Sequence, residues 1–147
     1  MTRPAMLFAV STVVLLLFAF LSRLIGPSGV LVDFHFLRRG YGFSPDSVCV
    51  FMASFLCVFA AIYSVFVFPL NQKAALWHFW LTAIGMLLFW VVFYSFSALP
   101  PGGLRENSAP LWMIAIGGLT SLALVIVAQG VFVTNLVSGI VRLCHHS

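Results

Sequence analysis

Long apolar runs separated by short polar breaks make up this chain. No Asp, Glu, Lys or Arg occurs between Arg3 and Arg23, between Asp46 and Lys73, between Lys73 and Arg105, or between Glu106 and Arg142. A helix needs about 20 apolar residues to cross the hydrocarbon core of a bilayer. Each gap is long enough, so the pattern predicts four spanning helices, at about 5–25, 46–69, 74–98 and 110–141. Membrane β-strands would alternate apolar and polar residues, and these runs do not. Only helices or closed barrels satisfy the backbone in hydrocarbon. The expected architecture is all-α, an integral membrane four-helix bundle, with residues 1–147 as a single transmembrane domain.

The polar breaks carry the boundary signals. Ile25-Gly26-Pro27 stops the first helix. Arg3 ahead of an apolar run is also how a secretory signal begins, but this run is long for that role and reads as a span. Ser44-Pro45-Asp46 is the best-marked helix start: a capping hydroxyl, a proline at the first helical position and an acid in the first turn. The second helix is expected to end at Phe68-Pro69. Residues 70–73 form so short a turn that helices 2 and 3 are expected as antiparallel neighbours. Pro100-Pro101-Gly102-Gly103 cannot continue a helix, and helix 4 is long enough to tilt or to project past the bilayer. In the loop before helix 2, Val30-Leu31-Val32-Asp33-Phe34-His35-Phe36 reads as an amphipathic stretch along the interface. Small residues at four-residue spacing, Ala53, Cys57 and Ala61 on helix 2 and Gly117 with Ser121 on helix 4, let backbones approach closely. Such faces serve packing within the bundle or docking to another membrane subunit.

Composition agrees with lipid as the solvent. Of 147 residues 63% are hydrophobic and 7% charged, against about 25% charged in soluble domains. The net charge of +4 is spread thinly. Arg38-Arg39 is the one Lys/Arg pair, suited to lipid headgroups, and nucleic acid is not implied. Arg3, Lys73 and Arg142 fall on one side of the membrane and Arg23, Arg38, Arg39 and Arg105 on the other, so charge alone does not orient the chain. Cys49 and Cys57 are eight residues apart on one helix, roughly 12 Å and too far for a disulfide.

One stretch is specific. Phe68-Pro69-Leu70-Asn71-Gln72-Lys73, then Trp77-His78-Phe79-Trp80-Leu81-Thr82 and Ile84-Gly85, resembles the catalytic subunit (subunit I) of haem-copper oxidases at the turn between its tenth and eleventh transmembrane helices. The family usually has a few more residues before the asparagine. More weakly, Leu99-Pro100-Pro101-Gly102-Gly103-Leu104-Arg105 is like the loop after the eleventh helix. Ile116-Gly117-Gly118-Leu119 through Phe132-Val133-Thr134-Asn135-Leu136-Val137 is like the twelfth helix. Helix 1 would then stand for the ninth. The departures matter as much. The family carries a His-x-His haem-ligand pair near the start of its tenth helix, and an ungapped alignment puts Ser47 and Cys49 there. The copper ligands belong to helices this chain lacks, and His78 matches a family histidine that binds no metal. The resemblance therefore implies a scaffold without the oxygen-reducing centre, in the bacterial inner (cytoplasmic) membrane, with both termini cytoplasmic.

Intramembrane ionisable groups are functional candidates by default, and few are present. Asp33, Asp46 and Glu106 are the only acids, all at expected ends or loops, so no carboxylate pair is set for acid–base work. His78 shares a helix face with Thr82 and His35 lies between two phenylalanines. Each reads either as a satisfied interfacial histidine or as an axial ligand to haem or (bacterio)chlorophyll, since imidazole ligates both. Cys144-His145-His146 is too small a cluster for a metal site. The aromatic residues suit lipid, packing or carotenoid tails; Tyr63, Tyr94, Gln129 and Asn135 suit hydrogen bonds between helices. A glutathione-transferring membrane enzyme would show Arg on helix 2, and a small multidrug exporter would show a membrane-embedded Glu; neither is found. The expected function is a non-catalytic accessory subunit of a membrane electron-transfer complex, not an enzyme, with other integral membrane subunits and lipids as partners. The alternative is a haem- or chlorophyll-binding module of a photosynthetic reaction centre through His35 or His78.

Overall fold

A computed structural model describes residues 2–25, 32–36, 39–65, 70–97 and 108–146. Four helices account for most of them: α1 (Arg3–Ile25), α2 (Pro45–Val65), α3 (Gln72–Ser97) and α4 (Ser108–His146). All four are long and apolar enough to cross a membrane. The chain is an all-α integral membrane protein of the four-helix class. Its helices form two compact units, α1 with α2 and α3 with α4, each an antiparallel hairpin.

The sequence explains the helix starts. Ser44 accepts a hydrogen bond on its Oγ from the Ser47 backbone N–H at 3.4 Å, and Val48 N–H closes the first turn on the Ser44 carbonyl at 3.2 Å. Pro45 opens α2 and Asp46 occupies its first turn, the arrangement the helix dipole favours. Asn71 caps α3 in the same way, its Oδ1 accepting from Lys73 N–H at 3.0 Å.

One expectation gains detail and one changes. The stretch expected to lie along the interface carries a strand. Val32–Phe36 forms β1, paired antiparallel with β2 (Arg39–Phe43), with Phe36 opposite Arg39 and His35 opposite Gly40. The cause is period-two alternation, Val32, Phe34 and Phe36 against Asp33 and His35, a strand pattern. Helix α4 also runs past residue 141 to His146. No proline or glycine follows Gly139, and Arg142 and His145 suit the negative end of the helix dipole. The stops at Gly26-Pro27, Phe68-Pro69 and residues 100–103 lie outside the described residues.

In the first hairpin, α2 buries Cys49, Met52, Leu56, Phe59 and Tyr63. Their alternating spacing of three and four is that of a left-handed helix–helix seam. Facing them, α1 buries Ala5, Phe8, Thr12 and Ala19. Phe8 stacks on Tyr63 at 5.6 Å and leans on Phe59 at 5.6 Å. Thr2 Oγ1 donates to the Tyr63 carbonyl at 3.3 Å.

Candidate functional site

The second hairpin holds most of the polar chemistry, and its seam can be followed from one end. Asn71 N–H donates to Asn135 Oδ1 at 2.8 Å, and Asn135 Nδ2 donates back to the Asn71 carbonyl at 3.1 Å. Asn71 thus caps α3 with its side chain and clamps α4 with its backbone. Seven residues on, His78 is fully buried and its ring lies 5.2 Å from that of Phe132. Seven further, the Gly85 carbonyl accepts from Ser121 Oγ at 2.8 Å. After another seven, Val92 meets Gly117, where an added Cβ would stand 2.7 Å from Val92 Cγ2. Repeats of seven along α3 facing small residues along α4 give close antiparallel packing. Gly85 is required there: a Cβ on it would lie 2.9 Å from Val125 Cγ2 and 3.3 Å from the Ser121 carbonyl oxygen.

This seam settles the two small-residue faces differently. Gly117 and Ser121 are spent on α3. Ala53, Cys57 and Ala61 instead line an open groove of about 410 Å³ on the first hairpin, with Thr12 and Leu16 of α1. Its volume is in the small-molecule range. Thr12 Oγ1 and Ser54 Oγ donate to their own helices' carbonyls, at 2.8 and 2.9 Å. The groove is therefore mostly apolar, and these two hydroxyls have only acceptor lone pairs left for a ligand.

The two histidines singled out by sequence fall in different units. His35 lies in β1; its side chain is outside the described residues. His78 has no exposed surface, and Phe132 lies against its ring. A haem or chlorophyll ligated there would have to reach an imidazole that has no exposed surface. Ser47, at the first position where the resemblance calls for a haem-ligating histidine, is exposed and hydrogen-bonded to Ser44 (Oγ–Oγ 2.6 Å), and Cys49, at the second, is buried. Among the described residues no three His, Cys, Asp or Glu side chains gather as a metal site requires.

Of the polar span residues, Asn135 makes the expected bonds between helices. Tyr94 is more than half exposed and stacks on Trp90 at 5.5 Å. Gln129 departs from expectation: its Nε2 is buried with no hydrogen-bond partner, as is Thr82 Oγ1. The Ser121–Gly85 bond had no sequence signal beyond the small-residue spacing. Compared with protein-family models, curated proteins and solved structures, the chain matches none.

Proposed function

We propose that this protein is a non-catalytic accessory subunit of a membrane electron-transfer complex, respiratory or photosynthetic. Its scaffold would be that of the last four helices of haem-copper oxidase subunit I. One observation carries the reading: the residues of the resemblance do packing work. Asn71 clamps Asn135, His78 lies under Phe132, and the Gly85 carbonyl takes the Ser121 hydroxyl. These contacts join the segment around residues 70–85 to the segment around 121–135, both of which carry the likeness. On this reading the contacts are what a retained scaffold needs, while Ser47 and Cys49 stand where haem ligands would be. Its helices present broad apolar surface, with Phe51, Trp77, Trp112, Met113 and Leu119 each more than 60% exposed, suited to lipids and other integral membrane subunits. On this reading the protein lies in the bacterial inner membrane, both termini are cytoplasmic, and no reaction belongs to it alone.

The test is purification of the tagged chain from its native membranes in mild detergent, with mass spectrometry of what accompanies it. Cytochrome or reaction-centre subunits in stoichiometric amounts are expected. A chain recovered alone and monodisperse contradicts the proposal. A second reading, a haem or (bacterio)chlorophyll held by His78, draws on the position of a buried imidazole within a span. It requires a Soret or Qy band from the purified chain, lost in His78→Ala.

A further inference from the structure

Two buried polar atoms in the α3–α4 unit, Thr82 Oγ1 and Gln129 Nε2, have no hydrogen-bond partner, unlike the helical hydroxyls around them. Hydroxyls inside these helices bond back to the carbonyl four residues earlier: Thr12, Ser54, Ser64, Ser95, Thr120 and Thr134 all do so, at 2.7 to 2.9 Å. This local bond is the usual refuge of Ser and Thr in an apolar helix. Thr82 is fully buried, yet its Oγ1 makes no hydrogen bond. On the facing helix, Gln129 Nε2 is buried in the same condition.

The two belong to one stretch of the seam. The His78–Phe132 and Gly85–Ser121 contacts bracket it. Thr82 lies between His78 and Gly85 on α3, and Gln129 lies between Ser121 and Phe132 on α4. The bracketed part of α3 is about 10 Å long, at 1.5 Å per residue. Ala128, beside Gln129, is a small residue with no exposure.

We propose that this stretch binds one internal water molecule, held between Thr82 Oγ1 and Gln129 Nε2. The chemistry selects water over other small ligands. An amide N–H only donates, while a threonine hydroxyl both donates and accepts. The occupant must therefore offer a lone pair to Gln129 and can donate or accept a hydrogen bond at Thr82. A metal cation would be repelled by the amide hydrogens and would find no carboxylate or thiolate set here. Buried waters satisfy otherwise stranded polar groups in this way. In hydrocarbon no bulk solvent is at hand to do it.

The test uses the full chain in lipid bilayers. Water-edited solid-state NMR should show early magnetisation transfer from water to the Thr82 and Gln129 side chains, ahead of Ala128 and Gly85 in the same seam. Transfer as slow as that to Ala128 overturns the proposal. Thermal unfolding supplies an independent reading. With the water in place, Thr82→Val removes a used hydrogen bond and lowers the midpoint, and adding Gln129→Met then changes it little. Without it, Thr82→Val removes a stranded hydroxyl; an unchanged or raised midpoint contradicts the site.

Discussion

The two helical hairpins hold together by different means. In α1–α2 the seam is aromatic and aliphatic: Phe8 sits between Tyr63 and Phe59, and one threonine hydroxyl reaches across. In α3–α4 the seam is small and polar: Gly85 and Gly117 admit neighbouring chains, and Asn71, Asn135 and Ser121 bond from helix to helix. Lipid tails are as apolar as leucine, so burial from water cannot drive either pairing within the bilayer. Shape has to do it in the first hairpin, and close approach with hydrogen bonds in the second. The first leaves an open groove at its small residues; the second uses its small residues up.

Substitutions should separate these mechanisms. The largest effect is expected from Gly85→Leu, whose side chain would meet Val125 and the Ser121 carbonyl. Overpacking of this kind costs about 3 kcal/mol, enough to part α3 from α4, read as a lowered unfolding midpoint in detergent. No loss would mean the seam is not closed at Gly85. Phe8→Ala should cost about 1–3 kcal/mol from its two ring contacts and should loosen α1–α2 alone, visible as faster proteolysis near Arg3 with the α3–α4 seam intact. Asn135→Leu should cost about 1 kcal/mol, two interhelical bonds at about 0.6 kcal/mol each. Its effect should fall near the Asn71 turn, as faster exchange of the Asn71 amide. Cys57→Leu should change stability by under about 0.5 kcal/mol, because an exposed position away from packed features tolerates substitution. A large loss there would show the groove to be a packed surface.

The contrast also explains what was legible in the chain. Helix number and approximate placement could be read because lipid enforces runs of about 20 apolar residues. The start of α2 could be read because Ser44, Pro45 and Asp46 each act locally. The β1–β2 pair was written in the alternation from Val32 to Phe36, but five residues of period two show only an amphipathic stretch and do not name the strand they pair with. The extension of α4 to His146 was hidden by Arg142, which looks like a boundary and is only a solvated side chain on a continuing helix. In the site, Asn135 and the Gly117–Ser121 face were recognisable by residue type and spacing. Their partners were not, because which carbonyl faces a serine across a seam depends on the register of two helices, which here brings together residues 36 apart in sequence. The pairing of Asn71 with Asn135, 64 residues away, lay beyond local pattern for the same reason.

Along that seam α4 outruns its partner. Asn135 is level with the start of α3, so residues 136–146 continue beyond it, about 16 Å at 1.5 Å per residue. Val137, Ile140, Val141 and Leu143 in this extension are about half exposed. Membrane length alone gives no reason for a helix of 39 residues, since about 20 suffice.

The claim that this protein is built to sit inside a larger electron-transfer assembly is tested most directly by its migration on a native gel, with native membranes solubilised in mild detergent. The account predicts a band far heavier than the 16.2 kDa chain, coincident with haem or pigment staining and depleted in Gly85→Leu. A band at the mass of the chain plus its detergent, free of haem and pigment, would contradict it.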